Sequence, residues 1–209
     1  MRLSLIITTY NSPKNLMLVL KSVERQSILP HEVVIADDGS GNETKDTISN
    51  YKSNSKINII HSWQSDNGFR AARSRNKAII KSTGEYIVLI DGDLILHSEF
   101  INDHIQNAEK GHFTQGSRVI LTEKKTKEIQ KSMKYEFNFF SKGIMNRKNV
   151  IHSKILSKIF TIKSKSINGI RSCNLSFYRK DCFNVNGFNN DFVGWGREDS
   201  EWWTLCYCW

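Results

Sequence analysis

An α/β fold, with a mostly parallel, doubly wound sheet flanked by helices, is expected for this 209-residue chain. Strand-length apolar runs alternate with helical stretches through the first 118 residues, and the loops between them are short. Two of those runs end in acidic clusters. Open α/β sheets bind ligands beyond the carboxyl ends of their strands, so the clusters stand where a site belongs.

Residues 3–8 are a short β-rich apolar run and read as a buried strand. Ser12-Pro13 opens a helix, with Ser as N-cap and Pro at the first helical position. Leu16, Leu20 and Val23 share one face of it, and Pro30 ends the connection. Residues 32–36 make a second strand, closed by the turn chemistry of Asp37-Asp38-Gly39-Ser40. A polar helix runs to about residue 54, and residues 57–61 form the third strand. Gly68 precedes a helical stretch over 69–81, Gly84 breaks it, and 86–90 is the fourth strand, with Asp91-Gly92-Asp93 directly after. Residues 123–165 are Lys-rich, with one glycine and no proline, and read as a partly mobile helical lid or acceptor-facing insert. Residues 174–178 read as a further strand, and Gly187-Phe188 and Gly194-Trp195-Gly196 as tight turns. The expected division is therefore 1–118 as the α/β region, 119–166 as a basic helical insert in a single domain, and 167–209 as the acceptor side.

Hydrophobic residues make up 39 %, which is globular rather than disordered composition. No apolar run approaches the ~18–20 residues that cross a bilayer, and no secretory signal is seen, so a cytoplasmic location is expected. Cys173, Cys182, Cys206 and Cys208 lack zinc-like spacing, and the first two read as buried thiols. The net charge of +9 is uneven: residues 118–171 hold 14 Lys/Arg against 3 Asp/Glu, a balance of +11 against −2 elsewhere. That asymmetry is either a solvated charged face or a surface for an anionic partner, whether nucleic acid, membrane or phosphorylated glycan. No nucleic-acid-binding motif accompanies it, so no nucleic acid partner is expected.

Four clusters are candidates for chemistry. In Asp91-Gly92-Asp93, two carboxylates around a glycine suit one Mg²⁺ or Mn²⁺ and a ribose hydroxyl, and the ion would neutralise a diphosphate leaving group. Alone, such a pair is also an ordinary solvated turn. Asp38 in Asp37-Asp38-Gly39-Ser40 can accept the N3–H of a uracil ring, or the loop is simply an Asx-turn that caps a helix. It is neither a dinucleotide fingerprint nor a phosphate loop. Arg70, Arg73 and Arg75 stand at a helix start; Arg73 and Arg75 cannot face the same way, and one of them is a candidate for the diphosphate. In Gly194-Trp195-Gly196-Arg197-Glu198-Asp199, Trp suits stacking on a pyranose and a carboxylate can take a hydroxyl proton. Acidic residues opening a helix is the plainer alternative.

In order along the chain, Ile6-Ile7-Thr8-Thr9-Tyr10-Asn11, Asp37-Asp38-Gly39-Ser40, Ala72-Arg73-Ser74-Arg75-Asn76, Gly84-Glu85-Tyr86 and Asp91-Gly92-Asp93 resemble the family 2 glycosyltransferases of GT-A fold. Asn186-Gly187-Phe188 through Asp199 resembles the β-1,4-galactosyltransferase type of C-terminal region. The resemblance implies that Thr8, Tyr10 and Asp38 hold uridine, that Asp91 meets ribose and metal, and that Asp93 is the direct ligand of Mn²⁺ or Mg²⁺. Arg73 and Asn76 join the donor set, Trp195 and Gly196 the sugar site. Glu198 would contact acceptor or donor sugar, and Asp199 would be the general base of an inverting transfer from a UDP-sugar to a glycan or lipid-linked glycan. Galactose, N-acetylgalactosamine and glucose all remain open, with lipopolysaccharide or capsule synthesis as the expected setting and peripheral contact with the inner face of the plasma membrane as a companion expectation.

The family usually adds a later His to the metal site, and here no His follows His152. The ending, from Trp202 to Trp209, holds three Trp, two Cys and no charge. It is expected to be a truncated or frameshifted terminus that weakens stability and activity. The alternative is therefore an inactive UDP-sugar-binding remnant; a sugar nucleotidyltransferase would want a Gly-rich phosphate loop that is missing near the N-terminus.

Overall fold

In the computed structural model, which describes residues 1–161, 163 and 171–194, four strands form in the first half: β1 (Leu3–Thr9), β2 (Glu32–Asp37), β3 (Ile59–Trp63) and β4 (Tyr86–Asp91). Helices α1 (Pro13–Glu24), α2 (Asn42–Asn54) and α3 (Ala71–Lys81) alternate with them. α4 (Phe100–Gln106) and the short β5 (Thr114–Gln115) follow. The basic segment adds β6 (Ile120–Leu121), α5 (Glu123–Ser132), β7 (Ile144–Met145), a 3₁₀ turn (Arg147–Val150) and α6 (Lys154–Phe160). β8 (Asn174–Tyr178) and α7 (Arg179–Asn184) come last.

The main sheet has the order β3-β2-β1-β4-β8-β5. Its first four strands are parallel, and β8 runs antiparallel to both neighbours, which gives the expected mostly parallel, doubly wound sheet. Strand alternation sorts the core into two layers. Leu5, Ile7, Val33, Ile35, Val88 and Ile90 pack with Leu16, Leu20 and Val23 of α1 and Ile48 of α2 on one face. Ile6, Val34, Ile87 and Leu89 pack with Ala72, Ala78 and Ile79 of α3 and Cys182 of α7 on the other. Each fully buried Leu, Ile or Val is worth about 1.5–3 kcal/mol, so these two layers dominate the stability of the sheet. Cys173 and Cys182 are both buried as thiols.

The chain divides into two compact units, Met1–Gln115 with Ile167–Trp209 and Gly116–Ser166. Among its described residues the second unit holds α5, the 3₁₀ turn and α6, and it also contains a small ladder, Ile120 opposite Met145 and Leu121 opposite Ile144. Thr122 caps α5, its side chain accepting from the Lys125 N–H at 3.4 Å.

Three local readings shift. β3 begins at Ile59 rather than residue 57 and runs on to Trp63, because its ladder with Val33–Asp37 sets the limits. α3 begins at Ala71 rather than residue 69, because the Arg70 N–H is drawn to Asp38. Ser12 stands at the α1 N-cap with Pro13 after it, yet its Oγ accepts from the Asn15 side chain at 2.9 Å and caps no backbone N–H.

Candidate active site

The parallel ladders bring four strand ends level. Thr9 pairs with Asp37, Asp37 with Trp63, and Thr8 with Asp91. Tyr10, Asp38, the loop 64–70 and Gly92-Asp93 therefore leave the same carboxyl edge, where sheets of this type bind ligands.

Asp37 is fully buried and anchors the β2 turn. His61 Nε2 lies 2.8 Å from its Oδ2, and its Oδ1 accepts the Ser40 N–H at 2.8 Å. Burial pushes this carboxyl up, but the bonds from His61 and Ser40 outweigh it and hold the pKa below the usual carboxylate value. Asp38 is 3 % exposed; its Oδ1 accepts from Gln64 Nε2 at 2.6 Å and its Oδ2 from the Arg70 N–H at 2.7 Å. Here burial wins over those two bonds, and the pKa is raised. A carboxylate has about four acceptor positions, so both oxygens keep capacity for a ligand N–H. Gly39 has φ +101°, and a Cβ there would stand 2.5 Å from the Asp66 Cα, so only glycine lets the β2 turn lie against the β3–α3 loop.

Tyr10 is exposed and its hydroxyl donates to Asp66 Oδ2 at 2.8 Å. That hydrogen bond and the Asp66 charge raise the phenol pKa. Asn11 joins two loops: its N–H donates to Ser40 Oγ and its Oδ1 accepts the Gly41 N–H, both at 2.9 Å. Trp63 Nε1 donates to the Ser40 carbonyl at 3.1 Å.

The Asp-Gly-Asp turn folds back on β1. The Gly92 N–H donates to the Thr8 carbonyl at 2.7 Å, and a Cβ on Gly92 would meet that oxygen at 2.6 Å. Asp93 is exposed and Asp91 half-buried. Arg75, not Arg73, faces this turn: its Nη2 is 3.8 Å from Asp91 Oδ1 and its guanidinium carbon 5.7 Å from the Phe188 ring centre. Arg73 is exposed. Asn76 spans to a second loop instead of the strand ends. Its Nδ2 donates to the Phe188 carbonyl at 2.6 Å and to Asn190 Oδ1 at 2.9 Å, while its Oδ1 accepts the Phe188 N–H at 2.9 Å. Its amide is thus committed to holding residues 188–190 on α3.

Trp195, Gly196, Glu198 and Asp199 lie outside the described residues. The Gly194 N–H donates to the Phe69 carbonyl at 3.0 Å, so the chain reaches the β3–α3 loop one residue before Trp195. Asp91 and Asp93 are hard oxygen donors of the type that Mg²⁺ and Mn²⁺ take. Among the described residues no group of three or more His, Cys, Asp and Glu is placed to hold a metal, so phosphate oxygens or water would fill the remaining positions of an ion there.

Sequence reading missed several members. Gln64, His61 and Asp66 position Asp38, Asp37 and Tyr10, and no spacing marks them because the link is across β2 and β3. β8 enters from the opposite direction, Asn174 pairing with Ile90, so buried Ser172 and Cys173 come in at this edge as well.

Solved structures with this fold include S. aureus TarS 1–349 in complex with UDP-GlcNAc, at TM-score 0.65 and 20 % identity over 99 % of this chain and 53 % of that one. A mannosyltransferase from Pyrobaculum calidifontis in complex with GDP-Man and Mn²⁺ aligns at TM-score 0.64 and 16 % identity, over 96 % of this chain and 50 % of that one. Chondroitin synthase of Escherichia coli is 23 % identical over 220 residues, 95 % of this chain and 31 % of the relative. Hyaluronan synthase of Pasteurella multocida is 32 % identical over 104 residues, 49 % of this chain and 10 % of the relative. The chain thus spans under a third of the length of these two synthases. The family model for Glycosyl transferase family 2 matches residues 4–183, and the chain belongs to that family.

Proposed function

We propose that this chain carries an inverting glycosyltransferase activity, moving a hexose from a UDP-sugar to a glycan or lipid-linked glycan acceptor in bacterial surface polysaccharide or lipopolysaccharide synthesis. The observation that carries the proposal is the level carboxyl edge of β1, β2 and β4, which brings Thr8, Tyr10, Asp38, Asp91 and Asp93 to one end of the sheet. Thr8, Tyr10 and Asp38 hold the uridine, with Asp38 accepting the uracil N3–H. Asp91 takes the ribose. Asp93, with Asp91, holds Mn²⁺ or Mg²⁺, which supplies charge neutralisation at the diphosphate. Arg75 is the better placed of the two candidate arginines for the same phosphates, since it lies beside Asp91.

Asp199 deprotonates an acceptor hydroxyl, which attacks C1 of the sugar as UDP leaves with its bonding pair. Glu198 contacts a sugar, and Trp195 stacks on a pyranose with Gly196 giving it room. The Gly194–Phe69 bond supports this, because it holds Gly194 at the β3–α3 loop. Residues 1–118 serve the donor, 167–209 the acceptor, and 119–166 form the insert that contacts an anionic membrane. The described residues contain no helix long and apolar enough to cross a membrane; the activity belongs on the cytoplasmic side, where UDP-sugars are found.

A screen of UDP-galactose, UDP-N-acetylgalactosamine and UDP-glucose with Mn²⁺ and oligosaccharide acceptors, reading UDP release, tests the proposal. Acceptor-dependent release supports it. UDP binding with no release would assign a binding module instead.

A further inference from the structure

The unit Gly116–Ser166 exposes apolar side chains that its own small core does not cover. Among its described residues, only Ile129 and Ile144 are buried hydrophobics. Phe140 is 85 % exposed, Ile155 73 % and Ile159 67 %, with Phe139 and Leu156 exposed as well. Ile155, Leu156 and Ile159 fall on one side of α6 by helical spacing. Phe139 and Phe140 stack edge to face at 5.5 Å in the stretch between α5 and β7. The same 51 residues carry 13 Lys/Arg, 11 of them Lys, against 3 Asp/Glu.

We propose that this unit docks on an anionic bilayer surface, its lysines over the headgroup phosphates and Phe139, Phe140, Ile155, Leu156 and Ile159 in the acyl boundary. Charge of this sign calls for an anionic partner, and the apolar tips decide which one. Ile and Leu have nothing to bury against on a polynucleotide or a phosphorylated glycan, whereas a bilayer takes both features at once. Lysine, a point charge without the guanidinium fork, suits loose contact with many headgroups better than recognition of one phosphate. The inference names the residues behind the membrane contact in the transferase reading, yet it needs no sugar transfer, so the two fail separately.

The test is co-sedimentation of the full 209-residue chain with phosphatidylcholine vesicles, with and without phosphatidylglycerol, at low and high salt. Each basic residue at an anionic surface is worth about five-fold in binding. Lys124→Glu/Lys127→Glu/Lys131→Glu should therefore weaken binding by roughly a hundredfold or more. Phe140→Ser/Ile155→Ser/Ile159→Ser should remove the part of the binding that survives high salt. Phe140→Trp is the check that needs no loss of binding: its emission should shift to the blue with anionic vesicles and stay unchanged with neutral ones. Equal binding to neutral vesicles, no binding to either, or preference for a single-stranded polynucleotide at matched phosphate concentration would overturn the proposal.

Discussion

In β4, Tyr86, Ile87, Val88, Leu89 and Ile90 are all 1 % exposed or less, whereas α6 leaves Ile155 and Ile159 about two-thirds exposed or more. Both segments are rich in apolar residues, so hydrophobicity alone does not separate them. What separates them is partners. β4 has strands on both sides and helices over both faces, and its residues find cover whichever way they point. Among its described residues the basic unit has one two-stranded ladder, two short α-helices and a 3₁₀ turn, too few layers to bury what its sequence supplies. The sheet unit sets its candidate site on strands buried on both faces; the basic unit offers a surface.

The largest expected effect follows from that contrast. Val88→Asp puts an uncompensated charge between the two core layers and should cost more than about 4 kcal/mol, enough to leave little folded protein. Ile155→Asp should stay within about 0.5 kcal/mol of the parent, as surface changes do. Soluble yield and thermal melting measure both. A comparable loss at Ile155 would mean that α6 is part of the cooperative core.

The sheet unit was also the legible one. Short continuous apolar runs and short loops make β1, β2 and β4 readable to within a residue, because strands buried on both faces are apolar without alternation. β3 lies two residues beyond the run that the sequence marks: Ile57 is buried ahead of the strand and looks like part of it, and only pairing with β2 fixes the limits. The carboxylate loops were visible as motifs. The links between loops were not, since Gln64 to Asp38 and Tyr10 to Asp66 join positions 26 and 56 apart. Helical phase said that Arg73 and Arg75 diverge, but not which turns inward; Asp91 and Phe188 settle that. The Lys-rich segment gave composition without period, so its ladder had no signal.

Acid should find a weak point in the sheet unit next. His104 is buried on α4, its Nε2 donating to Asn174 Oδ1 at 3.0 Å. Its Nδ1 therefore accepts from Ser176 Oγ at 2.8 Å, and Ser176 accepts from the Tyr86 hydroxyl at 2.8 Å. Burial lowers its pKa to about 4. The unfolded chain takes up this proton below about 6.5 and the folded chain does not until about 4. Stability from this group is complete above pH 6.5 and is lost as pH falls towards 4, by about 3 kcal/mol in total. Denaturant melts across pH 4–7 should show that slope in the parent, and His104→Gln should flatten it. An unchanged slope would assign acid sensitivity elsewhere. Among the described residues of the basic unit no charged side chain is buried, so no matching slope is expected from it.

A site resting on the rigid unit should respond in binding more than in stability. Asp93 is exposed, so Asp93→Ala should leave the melting temperature nearly unchanged. It should lower UDP affinity in Mn²⁺ by about tenfold or more, an ion's contribution of roughly 1.4 kcal/mol or above, and remove the difference between Mn²⁺ and chelator. Calorimetry reads both. If the parent binds UDP equally with and without Mn²⁺, the metal role of Asp91-Gly92-Asp93 is wrong. Phe140→Ser should leave the same titration unchanged.

The smallest effect is on the charges of the basic unit. In α5, Lys127 Nζ meets Glu123 Oε1 at 2.5 Å and Lys125 Nζ meets Glu128 Oε1 at 2.8 Å. Glu123 and Lys127 are both largely exposed, and a solvated pair four residues apart on a helix is worth about 0.3–0.5 kcal/mol. Glu123→Gln should therefore move the melting temperature by no more than about 1–3 °C. The same change frees Lys127 and removes one negative charge, raising the net positive charge of the unit by one, so affinity for phosphatidylglycerol vesicles should rise about five-fold at low salt. One substitution thus weakens a helix slightly and strengthens an interface. That pairing is what a surface, as opposed to a core, should give. A fall in melting temperature of several degrees, with no gain in vesicle binding, would place α5 in the cooperative core and remove the distinction between the two units.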